Sequence, residues 1–213
     1  MAPRTRSIPR NAPQSKKRKS TDTEDAASNK NASLNKLKKS KVMANREERT
    51  DVRFWLMKAE PESRIVKGKD VKFSIDDLAN MPDGTSTWDG VRNYEARNIM
   101  RDQMKVGDKV LFYHSNCKTP GVAGLAEVVK GSYPDESAFD PNHPYYDPKS
   151  DPASPRWYTV DVKFKSKFQR FIPLKELQKC EELREMALVK RGRLSVQPVR
   201  QEEFELICEM GKE

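Results

Sequence analysis

The sequence predicts an α+β fold: a small, strongly curved sheet or open β-barrel with flanking helices, preceded by a disordered basic tail. Three observations predict it. Hydrophobic residues make up 35% and charged residues 34% of 213 positions. That is low apolar content for a chain folded throughout, so part of it lacks the surface to offset the entropy of ordering. The charge is also uneven. Residues 1–50 hold 14 of the 41 Lys/Arg and 5 of the 32 Asp/Glu, so they account for the whole net charge of +9. Beyond residue 50, strand-like and helix-like stretches follow one another without regular βα alternation, which argues against a doubly wound sheet. The expected division is a tail over 1–50 and one domain over 51–213.

The tail has no aromatic residue and one weak apolar pair, Leu34 and Leu37. Two basic clusters stand out, Lys16-Lys17-Arg18-Lys19 and KLKKSK (36–41). Such clusters read as nuclear import signals, with an import receptor as partner, or else as a solvated charge run. The remainder of the chain is charge-neutral. Nucleic-acid affinity there must come from a local patch or pocket, while the tail adds non-specific attraction to phosphates.

Order is expected from about Asp51. RFWLMK (53–58) is apolar and β-prone and reads as a strand, ended by Pro61. Ser74 can cap a short helix through Ile75, Leu78 and Met81, with Asp76 and Asp77 in its acid-favouring first turn. Pro82-Asp83-Gly84 is a turn. Asn93 is the expected cap of a helix from Tyr94 to about Met104, whose Ala96, Ile99, Met100 and Met104 share a face. KVLFYH (109–114) and GVAGLAEVVK (121–130) read as strands. Gly121 and Gly124 mark a bulge or close backbone approach. Residues 131–156 contain six prolines and form a long loop, a kind often tied to function. WYTVDVKFK (157–165) alternates as a strand, and Phe171-Ile172 reads as a further short one. A helix over 174–188, broken near Cys180, a short strand or turn at 193–196 and a closing helix over 201–210 complete the chain.

Several chemistries are missing from the pattern. There is no Walker loop, GxGxxG, GxSxG or HExxH. Cys117, Cys180 and Cys208 are widely spaced and form no CxxC pair, which predicts a reducing compartment and no metal site. His114 and Cys117 lack the third, orienting group of a nucleophilic pair, and His143 sits in the long loop. No run approaches the length that spans a bilayer, roughly 20 apolar residues. The expectation is a soluble, non-catalytic monomer without cofactor or metal.

The densest chemistry lies in TWDGVRNYEAR (87–97). Trp88 offers a face for stacking, Asp89 an acceptor for an exocyclic amino group, Asn93 a donor and an acceptor, and Arg92 a bidentate phosphate contact. Together they fit one base removed from its stack. The competing reading makes Trp88 a core residue, Asp89 a turn cap and Asn93 a helix cap.

FWLMKAEP (54–61), WDGVRNYEAR (88–97), KVLFYHS (109–115), PGVAGLAEV (120–128) and RLSVQPV (193–199), in this order, resemble the EVE domain over about residues 52–210. The resemblance implies a PUA-like fold, whose relatives, YTH domains among them, are linked to reading modified bases. It implies that Lys58, Ala59 and Glu60 line a pocket rim, that Trp88 is one cage wall and that Asp89 faces the base edge. Asn93, His114 and Ser115 complete the expected base-binding set, with Arg92, Arg191 and Arg193 as phosphate contacts. A second aromatic wall has no positional counterpart, leaving Tyr133, Phe139, Tyr145 and Tyr146 as candidates. Asp89, standing where the YTH pattern has Ser, favours a base with a free amino group. The expected function is a non-catalytic nuclear reader of a modified base, modified cytosine in DNA foremost. The alternatives are a reader of modified RNA, an enzyme acting on nucleotides, or a structural interaction module.

Overall fold

The computed structural model describes residues 51–212. The expectations for the tail, including the import-like residues Lys16, Lys17, Arg18 and Lys19, fall outside the described residues.

A six-stranded mixed sheet organises these residues. Its strands are β1 (Phe54–Ala59), β4 (Thr85–Thr87), β5 (Lys109–His114), β6 (Gly121–Pro134), β7 (Tyr158–Pro173) and β8 (Val196–Val199), in the order β4-β7-β6-β5-β1-β8. β1 and β5 pair in parallel, and the other neighbours are antiparallel. A separate two-stranded hairpin joins β2 (Ile65–Val66) to β3 (Lys69–Asp70). Five α-helices flank the sheet: α1 (Ile75–Asn80), α2 (Tyr94–Asp102), α3 (Leu174–Leu177), α4 (Ala187–Lys190) and α5 (Gln201–Met210).

The apolar runs of β1 and β5 follow from burial on both faces. Successive strand residues point to opposite sides, and each side here has its own core. Trp55, Met57, Val110 and Phe112 join α1 and α2 residues on one face. Leu56, Leu111 and Tyr113 join Leu177, Leu188, Phe204 and Ile207 on the other. The helix starts follow the sequence closely. Ser74 forms a reciprocal capping box with Asp77, and the Asn93 side chain accepts from Glu95 N and Ala96 N at 2.9 and 3.0 Å. Each cap satisfies backbone donors that the first helical turn leaves free.

Several elements differ in detail from expectation. The strands anticipated over 157–165 and at 171–172 are one bent strand, β7, and β6 extends to Pro134. Repeated register shifts between β6 and β7 bend the pair without ending it, as bulges do. Gly121 and Gly124 permit this: a Cβ on either would lie 2.2 Å from the Ile172 carbonyl oxygen or 2.3 Å from that of Ser166. The helix expected over 174–188 is interrupted near Cys180 as anticipated, and the break is wide: two short helices, Leu174–Leu177 and Ala187–Lys190, stand on either side of a 3-10 turn at Glu181–Leu183. The short strand or turn expected at 193–196 is a turn closed by Leu194 N on Arg191 O, and a strand follows at Val196–Val199, an edge position that tolerates Pro198. β2, β3 and β4 are too short to leave a periodic signal.

Asp108 ties the parallel pair together from a fully buried position. It accepts from the Trp55 indole at 2.8 Å, Arg53 N at 3.2 Å and Lys105 N at 3.0 Å. Asp108→Ala leaves these donors without their carboxylate, each at about 1–3 kcal/mol. Urea unfolding should show a loss of about 3 kcal/mol or more, with a smaller loss for Asp108→Asn, which keeps one acceptor.

Candidate functional site

A cleft of about 530 Å³ opens where β1 leaves the sheet. Three segments wall it: the stretch from Arg64 to Phe73 that carries the hairpin, the turn from Ser86 to Asn93, and His143–Tyr145 of the long loop.

Trp88 is a core residue that also borders the cleft. It is 6% exposed and belongs to the first core, where it meets Phe73 and Phe112 edge-on at 5.9 and 5.4 Å between ring centres. The part of it that remains accessible lines the cleft. Its backbone N–H still bonds Val160 O at 2.8 Å, so the alternation of β4 continues one residue further. Trp88 therefore points inward and Asp89 outward.

Asp89 lines the cleft with its side chain 42% exposed. Withdrawal of water by the cleft walls raises its pKa, and the nearby charge of Asp135 adds to the rise. His143 Nε2 lies 3.7 Å from Asp89 Oδ2, and His143 and Arg92 counter part of the shift.

Tyr145 is the aromatic that the loop brings to the cleft. It packs where a Cβ on Gly90 would stand, 2.4 Å from its ring carbon Cδ2, and Gly90 holds φ at +74°. Glycine is needed there on both counts. Among the other candidates, the Tyr133 hydroxyl bonds Thr87 and Asp161, and the Tyr146 ring faces the Lys67 ammonium at 5.9 Å. Neither lines the cleft.

Arg92 lines the cleft, and its guanidinium is engaged as a clamp within the protein rather than left free for a phosphate. Its Nε donates to Tyr145 O at 2.8 Å, and Nη1 donates to Asp135 Oδ2 at 2.7 Å and Val91 O at 3.3 Å. Nη2 donates to Ser137 Oγ at 3.0 Å and again to Tyr145 O. These contacts match the five N–H groups of a guanidinium. Asp135, 1% exposed, also accepts from Gly90 N at 3.0 Å, Ser137 N at 3.0 Å and Ser137 Oγ at 2.6 Å.

The remaining expected residues divide. Lys58, Ala59, Glu60 and Asn93 line the cleft. Lys58 Nζ donates to Gly192 O at 2.7 Å, and burial lowers its pKa. Burial acts to raise the Glu60 carboxyl, but the bonds from Arg64 and Asn116 outweigh it and the net shift is downward. Asn93 commits its carbonyl to capping α2. His114 and Ser115 are not brought to the cleft. His114 Nε2 accepts from Ile75 N at 3.1 Å, and burial lowers its pKa. Ser115 Oγ donates to Ala59 O at 3.1 Å. Arg191 is held bidentately by Glu95 at 2.6 Å on both arms, and Arg193 lines a neighbouring hollow. Sequence reasoning missed Arg64, Lys69, Lys72, Phe73, His143 and Ser195, all cleft-lining, and Asp135. The signal available for His143 and Tyr145 was the length of the proline-rich loop, which marks a functional segment without naming its residues.

Among the described residues no group of three or more His, Cys, Asp or Glu is placed to hold a metal ion, and no helix is long and apolar enough to cross a membrane.

The curved mixed sheet with its aromatic, carboxylate-bearing cleft defines an α+β domain of PUA-like form. The chain belongs to the EVE-domain family, whose model matches residues 53–210. It is 52% identical over 164 residues to thymocyte nuclear protein 1 of Homo sapiens, covering 73% of this chain and 72% of that one. The Danio rerio protein of the same name is 53% identical over 167 residues, covering 75% and 72%. Among solved structures, human THYN1 protein in complex with 5-methylcytosine containing DNA matches with a TM-score of 0.73 at 50% identity, over 76% of this chain and 98% of that one. A hypothetical protein from Leishmania major matches with a TM-score of 0.69 at 51% identity, over 76% and 96%.

The raised pKa of Asp89 has a consequence for stability. Between the unfolded and folded values the native state holds a proton that the unfolded chain releases, so stability falls as pH rises through that window. The deficit then persists at neutral pH. Asp89→Asn removes it, and thermal melts at pH 7 should show a higher Tm than wild type. The gain is modest, because the side chain still meets water, and it should vanish below the unfolded value of about 3.9.

Proposed function

We propose that the chain is a non-catalytic nuclear reader of a modified nucleobase, and that the base it holds in the cleft is a modified cytosine in DNA. One observation carries this reading: Trp88 and Tyr145 bring aromatic surface to the same cleft that the Asp89 carboxylate lines. Aromatic stacking contributes about 1–3 kcal/mol per base and tolerates any base. Discrimination falls to the edge, where Asp89 accepts from the exocyclic N4 amino group that cytosine presents. The apolar surface of Trp88 and Phe73 suits a 5-methyl substituent. Extraction from a duplex costs a few kcal/mol, which the stacking and edge contacts offset. A relative at 50% identity solved with 5-methylcytosine DNA supports the choice of ligand.

Phosphates suit the cations around the mouth, Arg64, Lys69 and Lys72. Such contacts position the strand without reading sequence. The basic segment 1–50 adds phosphate attraction, and Lys16, Lys17, Arg18 and Lys19 serve import to the nucleus. The domain over 51–213 carries recognition. A reaction finds little support: His114 is engaged by the α1 backbone, and burial raises the Cys117 thiol, away from the thiolate that nucleophilic work needs.

Fluorescence anisotropy of the full chain with 5-methylcytosine and cytosine oligonucleotides tests the reading. Trp88→Ala is unsuitable, because removing a buried Trp costs about 3–5 kcal/mol and unfolding would confound the result. Tyr145→Ala, on the loop, should weaken binding of the modified oligonucleotide about tenfold or more, while Tyr145→Phe retains it. Asp89→Asn should weaken both oligonucleotides and relax the preference for cytosine over thymine at the target position, while the ratio between 5-methylcytosine and cytosine, which share the N4 amino group, is kept. A folded Tyr145→Ala protein that binds and discriminates like wild type places the site elsewhere.

A further inference from the structure

A second hollow, of about 400 Å³, adjoins the cleft. The two share Lys58, Glu60 and Ser195 as common walls, so a chain leaving the cleft across this ridge enters the second hollow directly. Beyond the ridge its lining includes Tyr113, Asn116 and Arg193.

The segment that carries Arg193 is braced at three points. Lys58 Nζ donates to Gly192 O at 2.7 Å. The side-chain amide of Gln197, itself 0% exposed, donates to Arg191 O at 2.9 Å and Leu194 O at 2.8 Å. Glu95 grips the Arg191 guanidinium on both arms. Two arginines stand two residues apart on this braced turn, and their states differ. Arg191 is neutralised by its carboxylate. Arg193 is exposed, and no carboxylate pairs with it among the described residues. Glu60, the acidic group of the hollow, is already held by Arg64 and Asn116. The hollow therefore presents an unpaired guanidinium on a pre-formed turn, beside hydroxyl and amide groups, next to the cleft. A guanidinium in such a place favours a phosphate oxygen, which it meets through two parallel N–H bonds.

We propose that this hollow is a subsite for the phosphodiester adjoining the base in the cleft, and that Arg193 is its contact. The proposal rests on the base-reading function above. It assigns the two hollows separate tasks: the cleft reads, and the Arg193 hollow holds the backbone. Arg193 therefore contributes affinity without base preference.

The test uses the full chain and measures binding as a function of salt. Each phosphate contact contributes about 0.9 to the log–log salt slope on duplex DNA and about 0.7 on a single strand. Arg193→Ala should lower the slope by about that amount. It should weaken modified and unmodified oligonucleotides by the same factor, so the ratio between them is unchanged. Binding of the nucleoside 5-methyl-2′-deoxycytidine, followed by NMR titration, should be unaffected, because it has no phosphate. Arg193→Lys should keep most of the slope, and Arg191→Ala should leave it near wild type. An equal slope change on RNA of the same sequence would identify the phosphodiester, and not the sugar, as the ligand.

An unchanged slope in Arg193→Ala overturns the proposal. So does an equal loss in Arg191→Ala, which would mark a general charge effect, or a parallel loss of nucleoside binding. The two readings fail separately. Wild-type protein that does not discriminate the bases, yet shows the Arg193-dependent slope, removes the base-reading function and leaves the phosphate subsite standing. Wild-type protein that binds no oligonucleotide removes both.

Discussion

The ion pair between Arg92 and Asp135 is the interaction on which the cleft depends. It joins two segments 43 residues apart: the turn that carries Trp88 and Asp89, and the start of the long loop that returns with Tyr145. Asp135 is almost fully enclosed, and its carboxylate is surrounded by donors from Gly90, Arg92 and Ser137. Removing one partner of such a pair costs about 3–5 kcal/mol, because the other is left buried and uncompensated. What the pair secures is geometry. Arg92 reaches past Asp135 to grip the Tyr145 carbonyl, so one guanidinium sets the position of the second aromatic wall. A pocket walled by a loop is then held as if by a regular element, which lowers the ordering cost on binding.

Trp88 and Asp89 show how one step along a chain separates two functions. The extended backbone turns successive side chains to opposite sides. Trp88 goes into the core against Phe73 and Phe112 and gains the rigidity of a packed residue. Asp89 goes into the cleft, where lost hydration raises its carboxyl. The raised carboxyl has Asp135 on one side and His143 on the other, and groups perturbed in this way cluster at functional sites.

Electrostatics outside the cleft is largely local cancellation. Lys163 with Asp83, Lys167 with Asp76 and Arg184 with Glu181 are exposed pairs, and such pairs contribute little to stability. Basic and acidic residues are equal in number beyond residue 50, and such pairs cancel charge locally. An arginine left out of this pairing therefore stands out, and Arg193 does so on a turn fixed from several directions.

Much of the fold was legible in the sequence because it is locally determined. The caps at Ser74 and Asn93, the apolar strands at 54–59 and 109–114, the buried face of Ala96, Ile99, Met100 and Met104, and the glycines at 121 and 124 each report a constraint acting within a few residues. Trp88, Asp89 and Lys58 were legible as candidates by residue type and by the EVE-like motifs around them. What the sequence could not decide was pairing across distance. Arg92, Arg193 and Arg191 are chemically alike as letters; only the tertiary structure surrounds the first with carbonyls and Asp135, gives Glu95 to the third and leaves the second unpaired. His114 and Tyr145 exchanged the importance the letters suggested for the same reason. The sequence by itself determined the helix caps, the apolar strands and the main helical faces, the charge-neutral stretch beyond a basic segment and the residue types of a candidate site. The tertiary structure decided which of those residues meet, because hydrogen-bond donors and aromatic faces acquire a role only from the partners that folding places beside them.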